Sequence, residues 1–583
     1  MLFKELALLY NRKIQHFAHT SWLFSENERS IEGKEYYVDL LSVLNPVAQQ
    51  RGMMNIIKPN QRPSTLEGAT VGLVWSGTHG GDLALNRAGE MIQERFSNVS
   101  VNFYTGGNYP SPPHIVKQAA EECDVVIGAT ADWGTCASWM CHDMIEIEKM
   151  GKPAVPIVSG RFTDDAKASS KAFGMPDLQF VVVPRIYRNL ADDLCVSQTE
   201  EVIDDLIQTL TSEGKDVSVI EQQESVIQFE GEDRYDAVLK MNKEFTLKDW
   251  SDALPIYPPT EEKVRELISG TSLPADHVVC DMPPGFGLAT VEKIAINAAM
   301  AGAKAEHMPI IIAAVKCLSE MGSHGGKSLL MSTSPHAPIL MVNGPIAKQV
   351  GLNPGSALGP GRDNEINITI GRAFYLCLKN IGMWYPNKMD MDTIGTTRKF
   401  IHCVAENEEM SPWPSYSEDR GFSKTDSTVS IFITDGELDV QDQGNTSADG
   451  LLKTLAYGIT FGNTTLGASH AEGHQRLIFM PPDVAGPVGG EGFSKQDAKD
   501  FIHSHANTSL GKMIQYMPIN DARVDERWNW LKDKTEEERL AIEVPLLHSS
   551  SNIDIVVVGA DRAKTLVFPS GPTAATVGID QYK

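Results

Sequence analysis

The segment ADWGTCASWMCHD, residues 131–143, places a thiol, an imidazole and two carboxylates within thirteen positions. Cys136 follows a short apolar run and a turn of small residues, so we expect it at the start of a helix. The positive end of a helix lowers the pKa of a thiol, which predicts a nucleophilic or acid–base role. Asp132 is the nearest group for its proton, and His142 and Asp143 are further catalytic candidates. The alternative is a buried structural cysteine.

The second cysteine of this segment fits a core position better than a reactive one. Cys141 belongs to an apolar stripe at helical spacing, formed by Ala137, Met140, Cys141, Met144 and Ile147. If both cysteines are helical, five residues separate them by a rise of ~7.5 Å. This exceeds the ~7 Å limit between Cα atoms of a disulfide, so a local redox pair with Cys136 is disfavoured.

A glycine-rich turn, SGTHGGD at 76–82, joins a predicted strand to a predicted helix. Such a turn lets a backbone approach an anion at the helix start, although a plain tight turn explains the glycines equally well. Neither its spacing nor the following strand matches the dinucleotide fingerprint, so we expect no NAD or FAD. The predicted substrate-binding residues are Gly77, His79, Gly80, Gly81, Asp82 and Thr135.

Histidines near the C-terminus offer a different kind of site. His470, Glu472 and His474 alternate along ASHAEGHQ, and on a strand their side chains would share one face, as metal ligands do. His503 and His505 could complete such a metal site. Gly473 favours a loop instead, in which these side chains are solvated. The sequence contains no HExxH, P-loop or GxSxG motif that would support a zincin, an NTPase or an α/β-hydrolase.

The elements that position Cys136 alternate between short apolar strands and amphipathic helices. This alternation predicts a doubly wound parallel sheet, flavodoxin-like, in the N-terminal α/β domain. In such sheets ligands bind beyond the carboxyl ends of the strands, where Cys136 and the glycine turn both fall. The predicted strands are 70–76, 99–105, 124–130, 152–159 and 179–185.

The rest of the chain divides by composition. We interpret residues 1–36 as an arm, 37–212 as the α/β domain, 213–249 as a linker and 250–583 as a larger α+β region. This region is predicted to contain a helix capped by Thr260, a helical stretch over 288–318 with a break near Gly302, and strands within 427–436, 476–482 and 553–563. It is divisible into subdomains 250–425 and 426–583.

Bulk composition limits the partners. The 583 residues carry a formal net charge of −25, which argues against nucleic acid and anionic membranes. No apolar run reaches the ~20 residues of a membrane span, and no secretory signal is recognisable. Eight dispersed cysteines without a CxxC pair favour the cytoplasm. A small-molecule substrate and a homo-oligomer are expected.

Three segments resemble the UGSC family: VLNPVAQQRG (43–52), LEGATVGLVWSGTHGGDLAL (66–85) and ADWGTCASWMCHD (131–143). That family is named for an Ala-Asp-Sec-Gly-Ser-Cys motif followed by His-Asp, and is distantly similar to selenoprotein B of glycine and betaine reductases. The resemblance assigns motif positions to Asp132, Gly134, Cys136, His142 and Asp143, with Thr135 for the serine. Trp133 occupies the selenocysteine/cysteine position, so a redox pair of two chalcogens is absent. Segments 250–268 and 289–315 resemble a region that accompanies UGSC-type domains, which implies that the two halves work together.

The sequence therefore predicts a thiol-dependent enzyme, an oxidoreductase or lyase, in which Cys136 acts alone on a small anionic substrate. The family resemblance implies reductive or C–X bond-cleaving chemistry. Two alternatives remain open: a metal-dependent lyase or hydrolase at His470, Glu472 and His474, and a non-catalytic ligand-binding or assembly subunit.

Overall fold

The computed structural model describes residues 39–106, 109–212, 224–400, 402–460, 475–514, 526–570 and 574–583. The described residues divide into a large compact unit, formed by those within 42–227 and 241–583, and a small one, formed by residues 39–41 and 228–240. The predicted arm, 1–36, lies outside the described residues. No helix in the described ranges is both long and apolar enough to cross a membrane.

The strands, numbered in chain order, are β1 Asp39–Leu44, β2 Thr70–Trp75, β3 Ser100–Thr105, β4 Val125–Ala131, β5 Ala154–Ser159, β6 Val181–Val183, β7 Val226–Gly231, β8 Val278–Met282, β9 Gly287–Thr290, β10 Ala337–Asn343, β11 His402–Ala405, β12 Thr428–Thr434, β13 Leu438–Gln441, β14 Gln475–Met480, β15 Asn507–Ser509, β16 Glu543–Pro545, β17 Ile553–Val557, β18 Lys564–Ser570 and β19 Ala575–Gly578. The helices are α1 Gly81–Arg95, α2 Pro113–Glu122, α3 Gly134–Lys149, α4 Thr163–Ala172, α5 Asp192–Glu201, α6 Ile203–Thr211, α7 Arg234–Leu247, α8 Glu261–Ile268, α9 Val291–Met300, α10 Met308–Glu320, α11 Ser328–Leu330, α12 Pro345–Val350, α13 Glu365–Asn380, α14 Tyr416–Asp419, α15 Ala448–Gly458, α16 Pro482–Gly490, α17 Lys495–His505, α18 Leu510–Ile514 and α19 Glu536–Leu540.

The N-terminal sheet has five parallel strands in the order β3–β2–β4–β5–β6. Helices α1, α5 and α6 pack on one face, around residues such as Leu73 and Ile127. Helices α2, α3 and α4 pack on the other, around residues such as Val126 and Met140. The doubly wound prediction is therefore confirmed, and this strand order is that of flavodoxin-like sheets.

The central strand shows why the sequence folds this way. All seven residues of β4 are buried, and all except Thr130 are apolar, so the segment does not alternate between apolar and polar residues. Gly128 lets α3 approach this strand closely, because a Cβ atom there would lie 2.4 Å from the Met140 sulfur. Helix α3 begins shortly after β4 ends, and its N-cap residue, Trp133, has an extended backbone conformation.

The C-terminal region contains an eight-stranded mixed sheet. Six of its strands follow the order β11–β10–β12–β18–β14–β17, while β13 pairs with β18 and β19 pairs with β12. The predicted strands appear as β12, β14 and β17, and the predicted break near Gly302 separates α9 from α10. Thr260 caps α8 as predicted, its Oγ1 accepting from Lys263 N. Since β10 pairs with β12, one sheet joins strands from both predicted subdomains.

The segment interpreted as a linker, 213–249, contains ordered elements. Strand β7 pairs with β1 in a two-stranded sheet, and α7 follows it. The segment therefore carries secondary structure at 226–231 and 234–247, which its polar composition did not indicate. The domain boundaries themselves remain predictions.

Candidate functional site

The candidate site lies at the carboxyl edge of the N-terminal sheet, between the ends of β2 and β4. Strand β3 is added on one side of β2, and β4 and the later strands are added on the other side. Ser76 and Thr78 follow β2, and Thr130 stands near the end of β4. Thr78 Oγ1 lies 2.7 Å from Thr130 Oγ1 and 3.1 Å from Ser76 Oγ. This buried hydroxyl network ties the two strand ends together at the position where doubly wound sheets bind ligands.

Asp132 projects from the end of β4 into a buried polar environment and is only 2% exposed. Its Oδ1 accepts a short hydrogen bond from Ser159 Oγ at the end of β5, and Oδ2 accepts from Arg188 N at 3.2 Å. Burial raises its pKa to about 6, although these hydrogen bonds oppose the rise. Asp132 is therefore a carboxylate near pH 7 and a better proton acceptor than an ordinary aspartate.

Cys136 lies in the first turn of α3, as predicted, but the predicted lowering of its pKa is wrong. The residue is 8% exposed, and burial together with the Asp132 charge raises the thiol pKa. The positive charge of Arg188 opposes this effect without reversing it. A helix N-terminus lowers a thiol pKa by less than burial beside a carboxylate raises it. Near pH 7 Cys136 is a neutral thiol.

Tyr109 and Arg188 join Asp132 and Cys136 in what we call the thiol cluster. The Tyr109 hydroxyl donates to the backbone oxygen of Thr130 and lies close enough to Cys136 to influence the pKa of its thiol. Burial raises the pKa of Tyr109, so its phenol stays protonated. The cluster thus combines a neutral thiol, a neutral phenol, a carboxylate and a guanidinium.

Arg188 links the cluster to the protein surface. Its guanidinium carbon lies 4.8 Å from the centre of the Trp133 ring, a cation–π contact. Trp133 is 37% exposed. Trp133 therefore holds the guanidinium whose positive charge acts on the buried thiol of Cys136.

The C-terminal region covers the start of α3. A Cβ atom on Gly134 would lie 2.1 Å from the backbone oxygen of Met331 and 2.6 Å from the Met391 side chain. Thr135 Oγ1 donates to Ser328 O at 2.7 Å, and Trp139 Nε1 donates to Ser328 Oγ at 2.8 Å. Thr135, predicted to bind substrate, here holds α11 against α3.

A buried lysine lies in the same contact between the two halves. Lys327 is fully buried, and its Nζ donates to Pro284 O at 2.9 Å. The ammonium lies 4.8 Å from the centre of the Phe173 ring and faces the buried carboxylate of Asp165. Burial lowers its pKa to about 7. The buried contacts of this side chain pack the C-terminal region against the N-terminal domain.

His142 and Asp143 lie away from the thiol, further along α3. Asp143 is fully buried, with Oδ1 3.2 Å from His142 Nδ1 and Oδ2 accepting from Ser111 N at 2.9 Å. The two residues line a cleft of about 640 Å³ between α2 and α3, together with Tyr109, Ser111, Glu146 and three prolines. The structure brings Asp132 to Cys136, while His142 and Asp143 belong to this separate cleft. Tyr109 contributes to both places.

The predicted anion-binding turn is closely packed. Gly77 and Gly80 have positive φ angles, which suit glycine. A Cβ atom on Gly80 would lie 3.0 Å from Tyr187 and Cys195, and one on Gly81 would lie 2.9 Å from Thr130. His79 Nε2 lies 3.5 Å from Asp192 Oδ1, and Asp82 stands in the first turn of α1. Packing explains these glycines, and anion binding by the turn stays a prediction.

Cys141 is fully buried on the core face of α3, as predicted, and burial raises its pKa to about 12. The metal candidates His470, Glu472 and His474 lie outside the described residues. His503 and His505 lie on α17, where their ring nitrogens contact backbone oxygens of Leu547 and Phe501. Across the described ranges, no three His, Cys, Asp or Glu side chains form a group able to hold a metal ion.

Sequence reasoning missed Tyr109, Ser159 and Arg188. Each follows the carboxyl end of a strand or ends one, a position at which polar residues in doubly wound sheets deserve attention as ligand contacts. That signal was readable in the NYPSPP and PRIYRN segments. No local sequence pattern indicates that Ser328, Met331 and Met391 contact the start of α3.

The N-terminal sheet is a flavodoxin-like α/β fold, and the candidate site lies at its carboxyl edge. Residues 42–212 match the model of the UGSC family, so this part of the chain is similar to that family. The match includes Asp132, Cys136 and the rest of the motif segment. No curated protein is significantly similar to the chain.

Proposed function

We propose that the chain is a lyase-type enzyme that uses Asp132 as a base and Cys136 as an acid on a small anionic substrate. One observation carries the proposal: the buried carboxylate of Asp132 lies beside the buried thiol of Cys136, and burial raises the pKa of both groups. Burial leaves Asp132 ionised above about pH 6, whereas the thiol of Cys136 stays protonated. Such a pair can remove one proton and deliver another in the same site.

The reaction that fits this pair is elimination across a carbon–carbon bond. The Asp132 carboxylate takes a proton from carbon, and those electrons form the double bond. The C–X bond breaks, and X leaves with its electron pair and the proton of Cys136. This leaves Asp132 protonated and Cys136 as a thiolate, and transfer of the proton from the carboxyl to the thiolate restores both groups. The net change is loss of HX without an oxidant or reductant. The C–X bond is thus cleaved without a second selenium or sulfur atom. Trp133 occupies the position at which the UGSC motif has selenocysteine or cysteine.

The charge of Arg188 supports the choice of an anion. Its guanidinium lies over Trp133 and is close enough to Cys136 to influence the thiol electrostatically. A guanidinium pairs well with carboxylate or phosphate oxygens. The Tyr109 phenol is a second hydrogen-bonding group for a developing oxyanion or leaving group. A compact anion therefore suits this cluster better than a polymer.

The test is an NMR screen in D₂O with a mixture of two- to five-carbon hydroxy acids, amino acids and their phosphates. We expect one component to lose a carbon-bound proton signal and to gain vinyl signals in the presence of the protein. The variant C136S, which keeps a polar group of similar size, is expected to be much slower. Saturable binding of a component with neither exchange nor elimination would instead make the protein a binding subunit.

The pH dependence of the rate follows from the two pKa shifts. Asp132 must be ionised to act as a base, so the rate is expected to fall as pH drops below about 6. Cys136 must be protonated, and its pKa is raised from 9.0, so the rate is expected to stay level from pH 7 to beyond 9. Initial rates between pH 4.5 and 10 check this. A rate that rises through pH 8 would indicate a reacting thiolate instead.

Compartment and assembly remain expectations. All eight cysteines are free thiols, which agrees with the expected cytoplasmic location. The expected homo-oligomer can be tested by sedimentation.

A further inference from the structure

A second polar site lies in the C-terminal region, where three neighbouring strands place oxygen atoms side by side. Asn343 ends β10 and pairs with Thr428, the first residue of β12. On the other side of β10, Val342 pairs with Ala405, so Glu406 continues β11 next to Asn343. Directly paired residues project to the same face with Cβ atoms about 5 Å apart. Glu406, Asn343 and Thr428 thus start from adjacent positions on one face.

Each of these side chains has a buried oxygen without a hydrogen-bond partner among the described residues. The atoms are Glu406 Oε1, Asn343 Oδ1 and Thr428 Oγ1. The three residues are 5%, 0% and 0% exposed. A buried oxygen left without a partner has lost its hydrogen bonds to water without a replacement, which destabilises the fold. Three such oxygens on adjacent strand ends therefore call for a shared partner.

The charge at this place points to the kind of partner. Asn343 Nδ2 donates to Glu406 Oε2 at 2.5 Å and to Glu408 Oε1 at 3.0 Å, so two carboxylates share one amide. Burial and the Glu408 charge both raise the pKa of Glu406. The neighbouring ammonium of Lys495 is already bonded to Asp419 Oδ2 and to Pro414 O at 2.6 Å each. The carboxylate pair therefore lacks a directly bonded cation within the described chain.

The geometry points to a binding site for a hard divalent cation, Ca²⁺ or Mg²⁺, ligated by Glu406 Oε1, Asn343 Oδ1 and Thr428 Oγ1. Carboxylate, amide and hydroxyl oxygens are the ligands that these ions prefer, and water can fill the remaining positions. With no nitrogen or sulfur among the three ligand atoms, a soft transition metal is disfavoured. The site belongs to the second sheet and does not depend on the chemistry proposed for Cys136.

The experiment is calorimetric titration of the EDTA-dialysed full chain with Ca²⁺ and, separately, with Mg²⁺. We expect one ion per chain with a dissociation constant between about 10⁻⁶ and 10⁻³ M for at least one of them. The variant E406Q is expected to lose this binding. The matched control E409Q changes a nearby exposed carboxylate, which is paired with Lys348, and is expected to retain it.

Because E406Q could disturb the sheet, T428V provides a second test that keeps both carboxylates. It is expected to weaken binding about tenfold while the circular dichroism spectrum stays unchanged. Absence of binding by either ion to the wild type would overturn the site, as would equal binding by E406Q. An infrared band of a protonated carboxyl in the wild type, lost in E406Q, would then assign the partner of Glu406 as a proton.

Discussion

Replacing Asp132 with asparagine is expected to lower the rate of the elimination by about 100- to 10,000-fold, the usual contribution of a general base. Asparagine keeps the size of the side chain but cannot accept the substrate proton. The asparagine amide can still form hydrogen bonds with Ser159 Oγ and with the backbone N of Arg188, so we expect the fold to persist. The measurement is the initial rate on the substrate found by NMR, with the circular dichroism spectrum as a check on folding.

The matched control is D164N, which removes an exposed carboxylate in the first turn of α4, 3.6 Å from Lys167. Its rate is expected to equal that of the wild type. A D132N variant as active as D164N would remove Asp132 from the mechanism and leave the thiol without its proposed base.

The second large effect concerns the contact between the N-terminal α/β domain and the C-terminal region. G134A is expected to destabilise the protein by at least about 1–3 kcal/mol, the range for overpacking a filled interior. The added methyl carbon would lie 2.1 Å from the Met331 oxygen, a backbone atom that cannot rotate away. Either α3 or the segment at 328–331 has to shift. Thermal unfolding and limited proteolysis of the full chain measure the effect.

G490A is the control for this substitution. Gly490 is exposed at the end of α16, and a methyl group added there would meet no other atom within 4 Å. Alanine at this position is expected to change the unfolding temperature little or to raise it slightly. If G134A unfolds at the wild-type temperature with the same protease resistance, the C-terminal region does not press on the start of α3 as described.

The sequence predicted the N-terminal sheet well because its strands carry their own signal. The apolar runs at 70–76 and 124–130 appear as β2 and β4 within one residue, and the stripe through Cys141 is buried. These features depend on local periodicity. A strand that is buried on both faces and a helix with one apolar stripe are each readable from a few consecutive residues.

The electrostatic state of Cys136 could not be read in this way. Its pKa depends on how completely the thiol is buried, and part of the cover over α3 comes from Met331 and Met391, about two hundred residues away in sequence. Sequence position indicates a helix N-terminus, whose effect favours a thiolate. The larger opposing effect comes from burial and the Asp132 charge, which only the folded chain defines.

The most direct test of the central claim is the pH dependence of Cys136 alkylation by iodoacetamide in the folded protein, followed by peptide mass spectrometry. Cys141 serves as the fully buried reference and the half-buried Cys280 as the accessible one. We predict that Cys136 reacts no faster than Cys280 at pH 7, that it shows no titration below pH 9, and that it reacts readily after unfolding. Rapid alkylation of Cys136 with an apparent pKa below about 8.5 would contradict the neutral thiol and make the residue a nucleophile.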